Sequence, residues 1–192
     1  MNMKLIKGLV LGGMVAASAP LYAADYAIDT KGAHASVTFR INHLGFSYVT
    51  GRFEDFNGTF SYDAENPNAS SVSVEIDPAS VDTNHAERDK HLKSADFFDV
   101  SQHPSVTFAS TSYTTNGDGT GVLKGDLTLR GVTKPVEIDV KHIGEGQDPW
   151  GGYRAGFHGT AELKLKDFGI EYNLGPAAEV VYLDLNVEGV RQ

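Results

Sequence analysis

Eight segments of this chain alternate apolar and polar residues, and this period of two constrains the fold more than any other feature. In Ala33–His43 (AHASVTFRINH), Val37, Phe39 and Ile41 share one face, and the residues between them are mostly polar. Such alternation is typical of a strand that buries one face. The other segments are residues 51–62, 72–76, 104–114, 121–129, 136–140, 153–166 and 181–187. Each of them predicts a half-buried β-strand.

Short turn sequences connect most of these segments. Asn116-Gly-Asp-Gly119 is a strong hairpin signal, and Gly144–Gly152 is a loop by composition. Leu44–Thr50 loses the alternation and predicts a turn or a short helix, whereas Phe53 is out of phase and predicts a bulge. Eight antiparallel strands joined mainly by hairpins predict an all-β fold, either a closed up-and-down barrel or a sandwich. The chain length favours the barrel.

The predicted inward faces mix large and small residues. Ala35, Gly58, Gly125, Gly159 and Ala161 occur among phenylalanines and leucines. An eight-stranded barrel is just wide enough to be filled by side chains or to hold one small ligand. The small residues favour a ligand cavity. The alternative is that they relieve barrel curvature or mark bulges.

One segment, Val81–Asp99 (VDTNHAERDKHLKSADFFD), breaks the strand pattern after the third strand. Asn84 is followed three positions later by Glu87, and this capping-box pattern predicts a helix of about two to three turns. The segment is unusually rich in charged and hydrogen-bonding side chains. It is therefore either a solvated helix or the rim of a binding site.

The first residues have the pattern of a secretory signal peptide. Lys4 and Lys7 precede an apolar run, Leu9–Ala17, and small residues lead to Ala23. The run falls well short of the roughly 20 residues that a membrane-spanning helix needs, so the pattern argues against a transmembrane anchor. We expect cleavage after Ala23, which divides the chain into a signal peptide, residues 1–23, and a single domain, residues 24–192.

Charge and motif content exclude several function classes. The net charge is −9 and the lysines and arginines do not cluster, which argues against nucleic acid and anionic lipid surfaces as partners. His85 and His91 are six residues apart and would not share a helix face, so they do not form a helical metal pair. The sequence lacks cysteine and a Gly-x-Ser-x-Gly elbow. We therefore predict no catalytic residue, no metal ligand and no catalytic cofactor.

Three motifs occur in order along the chain: Asp82–Phe97 (DTNHAERDKHLKSADF), Gly125–Val136 (GDLTLRGVTKPV) and Asp148–Phe157 (DPWGGYRAGF). Together they closely resemble the YceI-like family, and the likeness covers essentially the whole chain after the signal peptide. The resemblance implies a periplasmic, lipocalin-like barrel of eight antiparallel strands, usually a homodimer. It also implies an apolar tunnel that binds a polyisoprenoid or a similar long-chain amphiphile.

The in-phase apolar positions are the candidates for the lining of this tunnel, although each could instead belong to a packed core. These positions are Phe39, Ile41, Phe60, Val74, Ile76, Phe108, Leu127, Leu129, Val140, Phe157, Leu163 and Leu185. We expect the strand-free segment to cover one end or side of the barrel, where Asn84, Arg88 and His91 would meet a polar head group. Alternatively, Asp82, Arg88 and Asp89 hold this segment against neighbouring loops.

The signal peptide, the strand pattern and the resemblance to the YceI-like family together lead us to expect an exported, non-enzymatic protein. The resemblance implies that it carries, stores or protects a polyisoprenoid such as a prenyl quinone or its precursor. Affinity would grow with chain length, because each buried carbon contributes about 0.8 kcal/mol. One alternative is an enzyme that modifies an apolar isoprenoid through Arg88, Asp89 and His91. Another is a structural or stress-linked partner protein without a ligand.

Overall fold

The computed structural model describes residues 23–192, so the predicted signal peptide lies almost entirely outside the described residues. The strands are β1 (Ala24–Ile28), β2 (Ser36–His43), β3 (Ser47–Phe53), β4 (Phe56–Tyr62), β5 (Ser71–Ile76), β6 (Val81–Asp82), β7 (Val106–Thr115), β8 (Thr120–Leu129), β9 (Val132–Gln147), β10 (Tyr153–Lys164) and β11 (Val180–Arg191). The helix α1 spans Ala86–Leu92. Within residues 23–192, no helix has the length and apolar character that a membrane crossing requires.

The strands form a closed antiparallel barrel. Around the ring the order is β1, β4, β5, β7, β8, β9, β10 and β11, and β11 pairs back with β1. Tyr26 lies opposite Arg191 at this closure, and Ile28 lies opposite Gly189. The predicted eight-stranded up-and-down barrel is therefore confirmed, and the sandwich alternative is wrong.

Three of the eight barrel strands are each broken into two pieces. β1 and β2 pair with successive parts of β11, since Ile28 lies opposite Gly189 and Ser36 lies opposite Asn186. β3 and β4 are interrupted only at residues 54 and 55, immediately after Phe53, where the sequence predicted a bulge. β5 and β6 are separated by a single turn of 3-10 helix, Pro78–Ser80.

The expected turn or helix over Leu44–Thr50 is wrong for most of its length. Only residues 44–46 turn, and the chain is already extended from Ser47 onward. β3 pairs with β2 along this stretch, with Val49 opposite Ile41. This pairing supplies the backbone hydrogen bonds and overrides the weak local alternation.

One side of the barrel is completed by the strand-free segment. β5 pairs with β7, but β6 pairs with β3, so the sheet separates between β6 and β7. Residues 83–105 cover this separation. Arg130, in the turn between β8 and β9, donates from Nη1 to the carbonyl oxygens of Ala95 (3.0 Å) and Phe97 (2.8 Å). These bonds and the burial of Phe97 fix the segment to the barrel.

The helix within this segment starts one residue later than its capping-box pattern predicts. His85 is the N-cap, and its Nδ1 accepts from the backbone N–H of Arg88 at 3.2 Å. Asn84 instead adopts a left-handed conformation with φ of 60°, and its N–H donates to Asp82 Oδ1. The Asn84 cap is therefore wrong, because Asp82 engages Asn84 in a turn before the helix begins. The helix itself has two turns.

Several small inward residues accommodate aromatic rings and do not leave empty space. The Phe108 ring lies against Gly125, the Phe39 ring against Gly51 and the Phe60 ring against Gly189, each in a position that a Cβ atom would enter. The expectation that Gly125 opens a cavity is therefore wrong. The close approach of a ring to a strand glycine explains why these positions carry no side chain.

The contact between Phe108 and Gly125 gives a direct prediction. We expect Gly125→Ala to lower the free energy of unfolding by about 1–3 kcal/mol, because the methyl group forces Phe108 from its position. The matched control is Gly144→Ala, where an added Cβ meets nothing within 4 Å. Urea unfolding of both variants checks this, and equal stability of the two would contradict the packing described.

Candidate functional site: two apolar chambers in the barrel

The larger chamber lies at the end of the barrel formed by β2 and β3, the segment 83–105 and the loop 165–178. It has a volume of about 440 Å³ and a lining that is almost entirely apolar. This volume is within the roughly 300–1,000 Å³ of typical small-molecule sites. Of the predicted lining positions, six border this chamber: Phe39, Ile41, Ile76, Leu127, Leu129 and Leu163.

A smaller chamber of about 130 Å³ lies further along the barrel. The other six predicted positions border it: Phe60, Val74, Phe108, Val140, Phe157 and Leu185. Gly159 also borders this chamber, which agrees with its predicted inward position on the seventh predicted strand. Ser70 contributes a buried Oγ atom that has no hydrogen-bond partner among the described residues.

The two chambers share no lining residue, whereas the resemblance to the YceI-like family implied one tunnel. Neighbouring inward positions of β7 border different chambers, with Val106 at the larger chamber and Phe108 at the smaller. Leu183 and Leu185 of β11 are separated in the same way.

The larger chamber reaches the surface beside the turn between β2 and β3. Asn42, His43 and Val49 border it on this side, and Tyr172 and Leu174 border it from the facing loop. His43 is exposed and Tyr172 is 45 % exposed, although both line the chamber. We call these five residues the chamber mouth.

Two of the three predicted head-group residues line the larger chamber, and one does not. Arg88 and His91 border it, whereas Asn84 is exposed and borders a polar groove on the outer face of the barrel. His91 Nε2 lies 2.8 Å from Asp96 Oδ2. The His91 ring also meets the ring of Tyr172 edge to face, with centroids 5.0 Å apart. His91 therefore lies next to the chamber mouth.

Arg88 and Asp89 bind the helix to Thr83, the first residue of the same segment, and not to the neighbouring loops that the sequence alternative named. Arg88 donates from Nε to Thr83 Oγ1 and from Nη2 to the Thr83 carbonyl oxygen, both at 2.7 Å. Asp89 Oδ1 accepts from the backbone N–H of Thr83 at 2.9 Å and from its hydroxyl at 2.5 Å. Thr83 is buried, so these bonds satisfy its polar groups where water is excluded.

Much of the larger chamber is formed by residues that lie outside the alternating segments. These residues, which sequence reasoning missed, include Phe97, Phe98, Phe168, Ile170, Tyr172, Leu174 and Ala178. Segments 83–105 and 165–178 lack strand periodicity but contain many apolar residues, and this content could have indicated that they are partly buried. A period-two rule alone does not detect them.

A cluster of charged residues lies at the opposite end of the barrel. Arg154 donates from Nη1 to Asp29 Oδ2 and Glu188 Oε1, both at 2.6 Å, and from Nε to Asp148 Oδ2 at 2.9 Å. His34 Nδ1 lies 3.0 Å from Asp29 Oδ2. The cluster joins the break between β1 and β2 to the turn between β9 and β10 and to the end of β11.

This cluster is the place where the described residues could gather metal ligands. Asp29, His34 and Glu188 bring one ligand atom each within 4.8 Å of one another. The Arg154 guanidinium already bonds to both carboxylates, so it occupies the position of a cation. The arrangement is therefore that of a structural ion-pair network.

The network shifts the protonation equilibria of its members. Hydrogen bonds from Arg154, His34 and the Gly32 N–H hold the pKa of Asp29 well below its usual range. Arg154 and the Gly152 N–H lower the pKa of Asp148. The three carboxylates raise the pKa of Arg154. Arg154, Asp29 and Asp148 consequently stay charged at neutral pH, which suits a structural role.

A closed eight-stranded barrel around apolar chambers, with one short helix, defines a lipocalin-like β-barrel protein. The chain belongs to the YceI-like family, since a model of the YceI-like domain matches residues 26–189. The chain is 60 % identical over 187 residues to a UPF0312 protein of Ectopseudomonas mendocina, and the match covers 97 % of each. The resemblance drawn from the three motifs is thus confirmed.

Solved structures share the fold. The YceI protein of Campylobacter jejuni aligns with a TM-score of 0.71 and 29 % identity, over 79 % of this chain and 90 % of that one. A polyisoprenoid binding domain from Saccharophagus degradans aligns with a TM-score of 0.63 and 14 % identity, over 89 % of this chain and all of that one, 100 %. The second likeness, at this identity, is evidence for the fold alone.

Proposed function

We propose that this protein binds the hydrocarbon chain of a polyisoprenoid, or of a similar long-chain amphiphile, in the larger chamber. The observation that carries the proposal is a chamber of about 440 Å³ lined almost entirely by apolar side chains. Apolar cavities hold water poorly and accept apolar ligands. Hydrocarbon is therefore the ligand class that fits.

Burial of a hydrocarbon chain can supply the binding free energy with few polar contacts to the ligand. Each carbon transferred from water contributes about 0.8 kcal/mol before the cost of ordering the chain. The lining offers methyl groups and aromatic rings along the chain, so discrimination between related hydrocarbons is weak. A branched, flexible prenyl chain suits such a site, and a prenyl quinone or its precursor is one candidate.

We place the polar end of the ligand at the chamber mouth. His91 borders the chamber next to Tyr172 of the mouth, and Arg88, one turn earlier in the helix, also borders the chamber. The remaining N–H groups of Arg88 can donate to a carbonyl, hydroxyl or phosphate oxygen. Asn84 has no part in this proposal, because it borders the outer groove. The chain then extends inward towards Leu127 and Leu129.

The Saccharophagus degradans domain that shares this fold is a polyisoprenoid binding domain, so the fold is compatible with the proposed ligand class. Our proposal for this chain depends on its own chamber. We favour a binding role over modification of the lipid, because Arg88 and Asp89 are engaged in hydrogen bonds to Thr83 within their own segment.

The cellular location that we propose is based on the sequence. The signal-peptide pattern of residues 1–23 supports export, and we propose a periplasmic protein that carries, stores or protects its lipid. The resemblance that implies this location also implies a homodimer, which we include in the proposal.

The test is purification without detergent, followed by organic extraction and mass spectrometry of the extract. We expect about one long-chain isoprenoid or related amphiphile per protein chain. A protein that yields no such lipid, and does not take one up when it is offered, would contradict the proposal. Incubation of the loaded protein tests the enzymatic alternative, for which the lipid would change with time.

A further inference from the structure

The turn between β2 and β3 exposes apolar side chains in an unfavourable conformation. The Phe46 N–H donates to the His43 carbonyl oxygen at 2.9 Å across Leu44 and Gly45, which have φ of 56° and 82°. Two-residue turns with positive φ at both positions favour Asn-Gly or Asp-Gly. Leucine in the left-handed region is uncommon and destabilising. Local folding therefore does not explain Leu44.

Leu44 and Phe46 contribute little to the packing of the barrel. Phe46 is 87 % exposed and Leu44 is 58 % exposed. Leu44 reaches towards Gly175 in the facing loop, which also carries the half-exposed Tyr172. We call Leu44, Phe46 and Tyr172 the apolar rim.

The apolar rim lies at the chamber mouth. Asn42, His43 and Val49 flank Leu44 and Phe46 in sequence, and all three border the larger chamber. Tyr172 belongs to both the rim and the chamber lining. A ligand that enters or leaves by this route passes directly beside the rim.

The rim is almost free of charge in a protein with a net charge of −9. Residues 42–48 (NHLGFSY) contain no Asp, Glu, Lys or Arg, and residues 168–178 (FGIEYNLGPAA) contain one, Glu171. Side chains of this kind enter the interfacial layer of a bilayer through burial of apolar area. Tyrosine is favoured at this depth. The arginines close to this surface are engaged within the protein, because Arg40 lies over the Tyr48 and Tyr182 rings and Arg88 bonds to Thr83. Burial of apolar area, and not attraction to anionic lipid, therefore supplies the docking energy.

We propose that the apolar rim docks the protein on a bilayer of zwitterionic lipid, with the chamber mouth facing the membrane. The hydrocarbon chain then passes between bilayer and chamber without crossing water. This inference rests on the proposed function for its purpose, but docking is a separate property of the surface.

The opposite end of the barrel supplies a matched control. The turn between β9 and β10 carries Trp150, which is 80 % exposed. Asp148 and Arg154 flank it, and it lies at the end of β10 that is distant from the larger chamber. Trp150 is nearly as exposed as Phe46, which is 87 % exposed, but it is not part of the rim.

Flotation with vesicles of phosphatidylcholine and phosphatidylethanolamine, which contain no isoprenoid, tests the inference. We expect wild-type protein to float with the vesicles, and Phe46→Ser to weaken binding about tenfold through loss of the buried ring. Trp150→Ser should bind as the wild type does. The proposal is overturned if wild-type protein does not bind, if Phe46→Ser binds normally, or if Trp150→Ser binds as weakly as Phe46→Ser.

Leu44→Asn separates docking from folding. Asparagine tolerates the left-handed conformation, so we expect this variant to have a higher Tm while it binds vesicles more weakly. A lower Tm together with normal vesicle binding would assign Leu44 a structural role and would contradict the proposal.

Two further outcomes distinguish the competing explanations. If Phe46→Ser converts a dimer to a monomer in analytical ultracentrifugation and leaves vesicle binding unchanged, the rim is an interface between copies and the docking proposal is wrong. If the purified protein retains lipid but does not bind vesicles, the docking proposal is wrong and the proposed function stands. Vesicle binding by a protein that neither retains nor takes up lipid overturns the proposed function alone.

Discussion

Ile41→Trp is expected to reduce the lipid recovered with the protein at least about tenfold, a loss of roughly 1.4 kcal/mol or more of binding free energy. Ile41 points into the larger chamber from β2, opposite Val49 of β3. An indole ring in this position occupies space that we assign to the ligand. The barrel should still fold, because the ring enters an existing cavity. Mass spectrometry of the organic extract measures the lipid for each protein chain.

Ile143→Trp is the control for this substitution. Ile143 lies near the opposite end of the barrel and is 64 % exposed, so the same change adds the same ring outside the chamber. If Ile41→Trp does not fold, Val49→Trp serves as the second test, because Val49 borders the same chamber from the neighbouring strand β3. Full lipid occupancy in a folded Ile41→Trp or Val49→Trp protein would show that the ligand does not occupy this chamber.

Arg154→Met is expected to cause the largest loss of stability among surface substitutions, with a fall in Tm of at least about 5 °C. The change leaves Asp29, Asp148 and Glu188 close together without their shared cation. The Asp148 and Asp29 side chains are only 8 % and 12 % exposed, so water compensates them poorly. Thermal unfolding followed by circular dichroism measures the effect.

Arg52→Met is the matched control for Arg154→Met. Arg52 pairs with Glu54 and Asp82, but its side chain is 58 % exposed. Exposed pairs contribute little, so we expect a change in Tm of no more than about 2 °C. A similar loss of stability in both variants would show that the Arg154 network has no special role.

The effect of Arg154→Met should depend on pH with a defined sign. Because the folded-state pKa of Asp29 is lowered, its stabilising contribution is present above its ordinary value of 3.8 and is lost as the pH falls towards the folded-state value. The stability difference between wild type and Arg154→Met should therefore shrink as the pH is lowered from 7 to 3. A difference that does not change with pH would contradict this assignment.

The barrel could be predicted from the sequence because its inward and outward faces impose a period of two on each strand. β1 and β6 were not predicted, since five and two residues are too few to show that period. The start of α1 was misplaced because an Asp82 turn competes with the Asn84 cap. Such competition depends on side-chain positions that a sequence pattern does not contain.

The residues that line the candidate site could be predicted only in part from the sequence. Each predicted lining position borders one of the two chambers, which follows from strand phase, while contact with a ligand stays a prediction. The distribution of these positions over two chambers was not predictable, because strand phase identifies inward residues but not which cavity each one borders. The Arg154 network was missed because Asp29 and Glu188 are distant from Arg154 in sequence and meet only when the barrel closes.

The central claim is that the larger chamber binds a hydrocarbon chain, and the affinity for prenyl alcohols of increasing length tests it most directly. We predict that affinity rises with each added prenyl unit until the chamber is full and then levels off, and that Ile41→Trp shortens the rising part. No measurable binding of any chain, or an affinity that does not depend on length, would contradict the account.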